Sequence, residues 1–240
     1  MVAFSIDAAA RDGKSTTCGA ALPCVVTAVR PSLSQGLKGL ARKPSPLLHL
    51  ASSSPRRQEI LTALGLDFTV KAAEVEECRL SDESPEEMVL RLATAKACAA
   101  EVKTTRFVIG SDTAVVIDGD VLGKPRDQDD ALTMLLRLSG RRHSVVTGVA
   151  LLGPDGVQTA LSTTDVFFRE ISRDEAIAYW QSGEPRDKAG AYGIQGRGGA
   201  FVESIKGSYS GVVGLPVYET VRLLQNAGID ILLKRTDNDG

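Results

Sequence analysis

Long apolar runs are missing from this chain of 240 residues. No stretch approaches the roughly 18 apolar residues of a membrane span, so a transmembrane helix is excluded. Excess charge of either sign is also missing. Against 28 Lys and Arg stand 30 Asp and Glu, a formal net charge of -2, which excludes a general attraction to nucleic acid or anionic membrane. A phosphate-binding protein with this balance must gather its cations locally. Histidine is scarce. His49 and His143 are the only two, so no His-rich zinc site is available and a Ser-His-acid triad is hard to assemble. Cysteine is nearly as rare. Cys18, Cys24, Cys78 and Cys98 form no C-x-x-C pair, and free thiols in a reducing compartment, the cytoplasm, are the expectation. Aromatics make up 5%, and Tyr179 and Trp180 at the end of a helical stretch read as packing rather than base stacking.

The remainder is ordinary globular material. Hydrophobic residues make up 43% and charged residues 24%, enough to bury a sizeable core in one domain, or one domain with a tail. Residues 1–45 differ in texture. They are rich in Ala, Ser, Gly and basic residues, hold only Asp7 and Asp12 as acids, and show no fixed apolar period. They read as a flexible extension, with a targeting segment or a misassigned start as alternatives, ahead of a domain over residues 46–240. Ala8 to Ser15 loosely matches a P-loop, but Val2 to Ile6 is a poor strand, and Gly19 and Pro23 spoil the helix such a loop requires.

From Leu47 the pattern tightens. Leu47 to Ala51 has the length of a strand, and Pro55 suits the first turn of a helix closed by Gly65. Phe68 to Lys71 reads as a strand, Glu74 to Ser81 as an acidic loop. Ser84-Pro85-Glu86-Glu87 opens a helix to about Glu101, with Met88, Leu92, Ala95 and Ala99 inward. Phe107 to Gly110 is a strand of buried type that ends at Ser111-Asp112-Thr113. Ala114 to Ile117 continues extended to a turn at Asp118-Gly119. A helix over 127–138, a long hairpin over 144–168 about Pro154-Asp155-Gly156, a helix capped by Ser172, a Gly-rich segment from Asp187 to Gly199, a strand over 201–205 and a final helix after Pro216 complete the chain. Hairpins mixed with crossover helices indicate an α/β domain with a mixed sheet.

Four segments can carry chemistry. Ser52-Ser53-Ser54-Pro55-Arg56-Arg57 puts hydroxyls and guanidinium groups at a helix start, where free N–H groups favour phosphate; an N-cap with solvated arginines is the plainer alternative. Gly110-Ser111-Asp112-Thr113 places an acid at a strand's end, where α/β folds put ligands. Asp112 there can hold a metal or activate water, or it can simply form a turn. Leu122-Gly123-Lys124-Pro125 holds a lysine in a stiff bend, or a solvated loop. Asp187 to Gly196 carries Lys188, Gln195 and glycines at 190, 193 and 196, with Gly198 just beyond. They allow close backbone approach to a ligand, or make a flexible loop. Gly207-Ser208-Tyr209-Ser210-Gly211 is not a nucleophile elbow, because its centre is Tyr.

Taken together and in this order, the four segments resemble the Maf proteins, over about residues 47–234. Phe201-Val202-Glu203 and Gly207-Ser208-Tyr209 through Val213-Gly214-Leu215-Pro216 share the resemblance. It implies a twisted mixed sheet flanked by helices, of Maf/ITPase-like type, with a cleft between two lobes. It implies a nucleoside triphosphate diphosphatase that uses a divalent metal cation, Mg2+ or Mn2+. The family's catalytic acid matches Asp112. Its phosphate-binding positions match Ser52, Arg56, Arg57, Lys96, Lys124 and Lys188, and Glu77, beside Glu74 and Glu76, matches a metal-binding acid with Asp112. Specificity positions match Arg56, Thr113 and Gln195, the combination of the type that hydrolyses dTTP and UTP. Alternatives within the resemblance are 7-methyl-GTP, a house-cleaning activity on purine lesions such as ITP, and a non-catalytic nucleotide-binding regulator of cell division. The implied partners are a nucleoside triphosphate and a second copy in a homodimer, with no nucleic acid and no membrane.

Overall fold

A computed structural model describes residues 48–100 and 106–231. The extension over 1–45, its P-loop-like stretch and the domain's outer limits lie outside the described residues. A mixed sheet of seven strands organises the fold. In chain order the elements are β1 (Leu48–Leu50), α1 (Pro55–Ala63), β2 (Phe68–Val70), α2 (Pro85–Ala99), β3 (Phe107–Ile117), β4 (Asp120–Leu122), α3 (Gln128–Leu138), β5 (Arg142–Gly153), β6 (Gly156–Phe168) and α4 (Arg173–Gln181). Three short 3-10 turns follow, then β7 (Val202–Lys206), α5 (Tyr209–Val213) and α6 (Val217–Asn226).

Most boundaries follow local chemistry. The Ser84 hydroxyl accepts the Glu87 N–H while the Glu87 carboxylate accepts the Ser84 N–H, a reciprocal cap that starts α2. Ser172 and Glu175 repeat it at α4, and Asp127 caps α3 by accepting the Asp130 N–H. Asp118 and Gly119 both take positive φ, 54° and 82°, as a tight two-residue hairpin requires.

The strand order is β2-β1-β3-β5-β6-β7, with β4 also on β3. β5 occupies one edge of β3 from Val108 to Val116. A strand has only two edges, so β1 and β4 share the other. β1 runs parallel to it at residues 107–109 and β4 antiparallel at 115–117. Between them residues 110–114 keep an edge that no strand covers. This corrects one expectation: Asp112 lies in the middle of an eleven-residue strand, not at a strand's end. What ends at that level is β1, whose chain turns away after the Ala51 N–H donates to the Ile109 carbonyl at 2.8 Å.

α2 packs on the sheet through Val89, Leu92, Ala93 and Ala97, and at Gly110 and Gly148 its backbone comes down directly on the strands. A Cβ on Gly148 would sit 2.6 Å from the Val89 carbonyl oxygen, and one on Gly110 would overlap the Ala93 carbonyl oxygen. The face that α2 buries consists of Met88, Val89, Leu92, Ala93, Lys96 and Ala97. The expected inward positions Ala95 and Ala99 are half-buried and exposed, because the true stripe is turned to include a lysine. Tyr209–Val213, left without an element by the sequence, is the short helix α5. Cys78 is disulfide-bonded and so departs from the expectation of free thiols.

Two apolar clusters flank the uncovered stretch of β3. One packs Leu48, Leu50, Leu61, Ile109 and Leu215 beneath α1 and α6. The other packs Val115, Leu132, Leu135, Phe168 and Tyr192 with α3 and α4. These are the two lobes that the resemblance implies. No described helix is long and apolar enough to cross a membrane.

Candidate active site

A cleft of about 450 Å³ opens over residues 110–114, between the lobes. From the α1 side it is lined by Ser52, Arg56 and Arg57. Its floor holds Asp112 and Thr113, with Lys96 and Glu77 beside them, and its far wall carries Lys124, Lys188 and Gln195. Ser52, Arg56, Arg57, Glu77, Lys96, Asp112, Thr113, Lys124, Lys188 and Gln195 therefore all border one cavity. A volume of this size is in the ordinary range for small-molecule sites.

Side-chain alternation along β3 divides the floor. Gly110 and Asp112 point toward α2, and the absence of side chains at Gly110 and Gly148 lets α2 approach closely. Gly148 is the register partner of Asp112. Lys96 thereby comes within 2.6 Å of Asp112 Oδ1, and its Nζ also holds Glu77 Oε1 at 2.5 Å. Lys96 and Asp112 are buried, each 8% exposed. Burial pushes the Asp112 carboxyl above the usual carboxylate range, against the pull of Lys96 and Arg57. Burial acts in the same direction on Glu77, but the Lys96 hydrogen bond and the charges of Lys96, Lys124 and Arg57 outweigh it and hold Glu77 below its ordinary value. Two neighbouring acids are thus driven apart, the pattern expected where one must take up a proton and the other must stay charged.

Thr113 faces the other side of the sheet. Its hydroxyl accepts from Thr147 Oγ1 at 3.0 Å and from Arg57 Nη2 at 3.4 Å. Arg57 also donates through Nε to the Gly214 carbonyl at 2.8 Å and through Nη1 to Ser52 Oγ at 3.1 Å. Ser111 Oγ donates to the same Gly214 carbonyl at 2.9 Å. Arg57 therefore joins α1, β3 and the loop after α5. Thr147 and Gly214 belong to this floor, and the sequence reading had not singled out either for a role there. Arg56 is less buried and faces Asp187 at 3.6 Å. Lys188 donates to the Glu184 carbonyl at 2.7 Å and pairs with Asp187 at 2.6 Å. No side chain caps the start of α1, so its first-turn N–H groups remain available beside the cleft.

The Gly-rich segment departs from its reading as an open approach for ligand. At Gly190 a Cβ would meet Val115, at Gly193 Lys188, at Gly196 the Glu184 carboxylate and at Gly198 the Tyr179 hydroxyl. These glycines admit protein groups. Glu184, which binds that segment together, was not identified from the sequence. It sits in Ser182-Gly183-Glu184-Pro185, which looks like a plain helix exit, and only the glycine spacing downstream hints at it. The two histidines stand apart from this chemistry: His49 Nδ1 lies 2.7 Å from Thr69 Oγ1, and His143 Nε2 lies 2.8 Å from the Tyr192 hydroxyl.

Among the described residues no three His, Cys, Asp or Glu side chains converge as a metal-ligand set. In the cleft, Asp112 and Glu77 bring two carboxylates to one point, where the Lys96 ammonium lies. Two carboxylates completed by substrate phosphates and water is the way Mg2+ is commonly held, so the donor set fits such a cation bound together with a polyphosphate.

Fold and site together define an α/β protein with a cation-rimmed, two-carboxylate cleft suited to a polyphosphate. The chain belongs to the Maf family, whose model, described as Maf-like protein, matches residues 47–227. It is 52% identical over 179 residues to a dTTP/UTP pyrophosphatase of Vibrio vulnificus, covering 74% of this chain and 96% of the relative. It is 52% identical over 180 residues to one of Pseudoalteromonas translucida, with 74% and 95% covered. It is 48% identical over 187 residues to one of Methylobacillus flagellatus, with 77% and 94% covered. Among solved structures, a HAM1 protein from Coxiella burnetii is similar over 64% of this chain and 90% of its own at 18% identity, with a TM-score of 0.38. That likeness is too slight to carry an argument.

Proposed function

We propose that this chain hydrolyses dTTP and UTP to the monophosphate and pyrophosphate, with a divalent cation. The observation that carries the reading is the pair of acids, Asp112 and Glu77, meeting at Lys96 inside a rim of Arg56, Arg57, Lys124 and Lys188. The names of the relatives supply the substrates.

In this reading the triphosphate lies over the start of α1, where free N–H groups, Ser52 and the two arginines meet its oxygens. Lys124 and Lys188 close on it from the opposite wall. Lys96 neutralises charge between the acids. When bound, the cation, held by Asp112 and Glu77, supplies charge neutralisation at the phosphate oxygens. Asp112 accepts a proton from water, or orients it, for attack on the α-phosphorus. Thr113 and Gln195 select the base, with Arg56 beside them. A homodimer in the cytoplasm completes the reading; sedimentation and cell fractionation test those two points.

The test is a panel of nucleoside triphosphates assayed for pyrophosphate release with Mg2+ or Mn2+ and after chelation. Release from dTTP and UTP, lost on chelation and restored by the cation, is expected. Preference for 7-methyl-GTP or ITP contradicts the substrate assignment, and binding without turnover contradicts the enzyme.

A further inference from the structure

One half-buried carboxylate, Glu184, takes no part in the chemistry above. Glu184 follows α4, in a 3-10 turn over Glu184–Asp187. Its Oε1 accepts from the Tyr179 hydroxyl at 2.7 Å and from the Gly198 N–H at 3.2 Å. Its Oε2 accepts from the Arg197 N–H at 2.9 Å. The Tyr179 hydroxyl in turn accepts the Gly193 N–H at 3.0 Å. Between these anchors the Gly196 N–H donates to the Gly193 carbonyl at 3.3 Å, closing a four-residue turn that carries Gln195 into the cleft wall. The turn is gripped at both ends, at Gly193 before it and at Arg197 and Gly198 after it.

The grip accounts for the glycines. A Cβ at Gly193 would lie 2.7 Å from Lys188 Cε, and one at Gly198 would lie 2.5 Å from the Tyr179 hydroxyl oxygen. One at Gly196 would overlap the carboxylate itself. The segment is glycine-rich because it folds closely over the side chains of Glu184, Tyr179 and Lys188, and the result is a held turn.

We propose that Glu184 is a positioning residue for base selection: through Tyr179 and backbone amides at 193, 197 and 198 it fixes the turn that presents Gln195 to the nucleobase. This rests on the reading of Gln195 as a base contact. Hydrogen bonds to an ionised acceptor are the stronger kind, and a group held in its bound geometry before substrate arrives has less freedom to lose on binding. Burial would raise the Glu184 pKa, but its hydrogen bonds with Tyr179, Arg197 and Gly198 outweigh it, and the carboxyl is held below its usual range. The anchor is therefore charged at working pH.

A double-mutant cycle tests it, because a group acting through Gln195 loses its effect once Gln195 is gone. Glu184→Gln keeps the size but turns an N–H against a backbone N–H. Steady-state kcat and KM for dTTP are measured in the parent, Glu184→Gln, Gln195→Ala and the double variant. KM is expected to rise about tenfold for Glu184→Gln alone and less than about twofold in the Gln195→Ala background, with kcat within about threefold. Equal increases in both backgrounds, or a loss confined to kcat, overturn the proposal. Circular dichroism checks folding. If Glu184→Gln fails to fold, Tyr179→Phe, which frees the Gly193 N–H and takes one donor from Glu184, carries the same comparison, with the same dependence on Gln195 expected. A parent inactive on dTTP overturns the functional reading itself, and this inference with it.

Discussion

Substituting alanine for Gly110 isolates the packing that brings Lys96 to Asp112. Gly110 has no positive φ, so alanine is conformationally acceptable there. By itself the change should stabilise by about 0.4–1 kcal/mol, through a less disordered unfolded chain. Space decides the sign the other way. The new Cβ would overlap the Ala93 carbonyl oxygen and lie 2.8 Å from the Ala97 nitrogen. Both are helix backbone, which cannot swing aside as a side-chain end can, so α2 must move off the sheet. Overpacking of this kind costs about 1–3 kcal/mol. The net loss lowers the melting temperature by several degrees, at about 2–4 °C per kcal/mol for a domain of this size. Lys96 moves with α2, and a displacement of about 1 Å at a catalytic group can cost about 100-fold in rate. Thermal denaturation and kcat for dTTP together check both halves. A Gly110→Ala protein as stable as the parent and equally active would refute the claim that helix–sheet contact sets the Lys96–Asp112 pair. Gly148→Ala, with its Cβ 2.6 Å from the Val89 carbonyl oxygen, should behave the same way.

Three further outcomes follow from the charges. Lys96→Met leaves Asp112 beside Glu77 with no shared cation, and removal of one member of a buried pair costs about 3–5 kcal/mol. It should also move the acidic limb of the kcat/KM profile to higher pH, since Lys96 pulls the Asp112 pKa down; an unmoved limb contradicts Asp112 as the titrating group. Asp112→Asn should melt no lower than the parent at pH 7. The folded-state pKa of Asp112 is raised, so the stability linked to it is fully present below the unfolded value and lost as pH rises through the folded one. A marked drop in melting temperature would contradict that sign. His143 is the opposite case, its pKa lowered by burial to about 4. The stability linked to its neutral form is present above the unfolded value of 6.5 and lost as pH falls toward about 4, about 3 kcal/mol in all. His143→Gln should remove that part of the acid sensitivity in denaturant titrations.

Local chemistry was legible in the sequence and long-range packing was not. Ser84 with Glu87, Pro55, Asp127, Ser172 and the Asp118-Gly119 turn state their helices and hairpin in a few neighbouring residues. The site's cations and acids were legible as segments in a characteristic order. The position of Asp112 along its strand was not, because β3 continues past it only by pairing with β5 and, farther on, with β4. Those partners are dictated by the whole sheet. The resemblance named Lys96, but its place on the buried face of α2 was missed by a stripe drawn through Ala95 and Ala99, since a buried lysine makes sense only once Asp112 and Glu77 are seen around it. Glu184 was invisible for the same reason: its donors lie 13 and 14 residues away at Arg197 and Gly198, and five residues before it at Tyr179.

The central claim is that Asp112 directs water onto the α-phosphorus of a pyrimidine nucleoside triphosphate. Hydrolysis of dTTP in water enriched in heavy oxygen, with products separated and weighed by mass spectrometry, tests it most directly. The account predicts one heavy oxygen in dTMP, none in pyrophosphate, and a fall of at least about 100-fold in the rate for Asp112→Asn. Label in the pyrophosphate, release of orthophosphate with dTDP, or near-parental turnover by Asp112→Asn would contradict it.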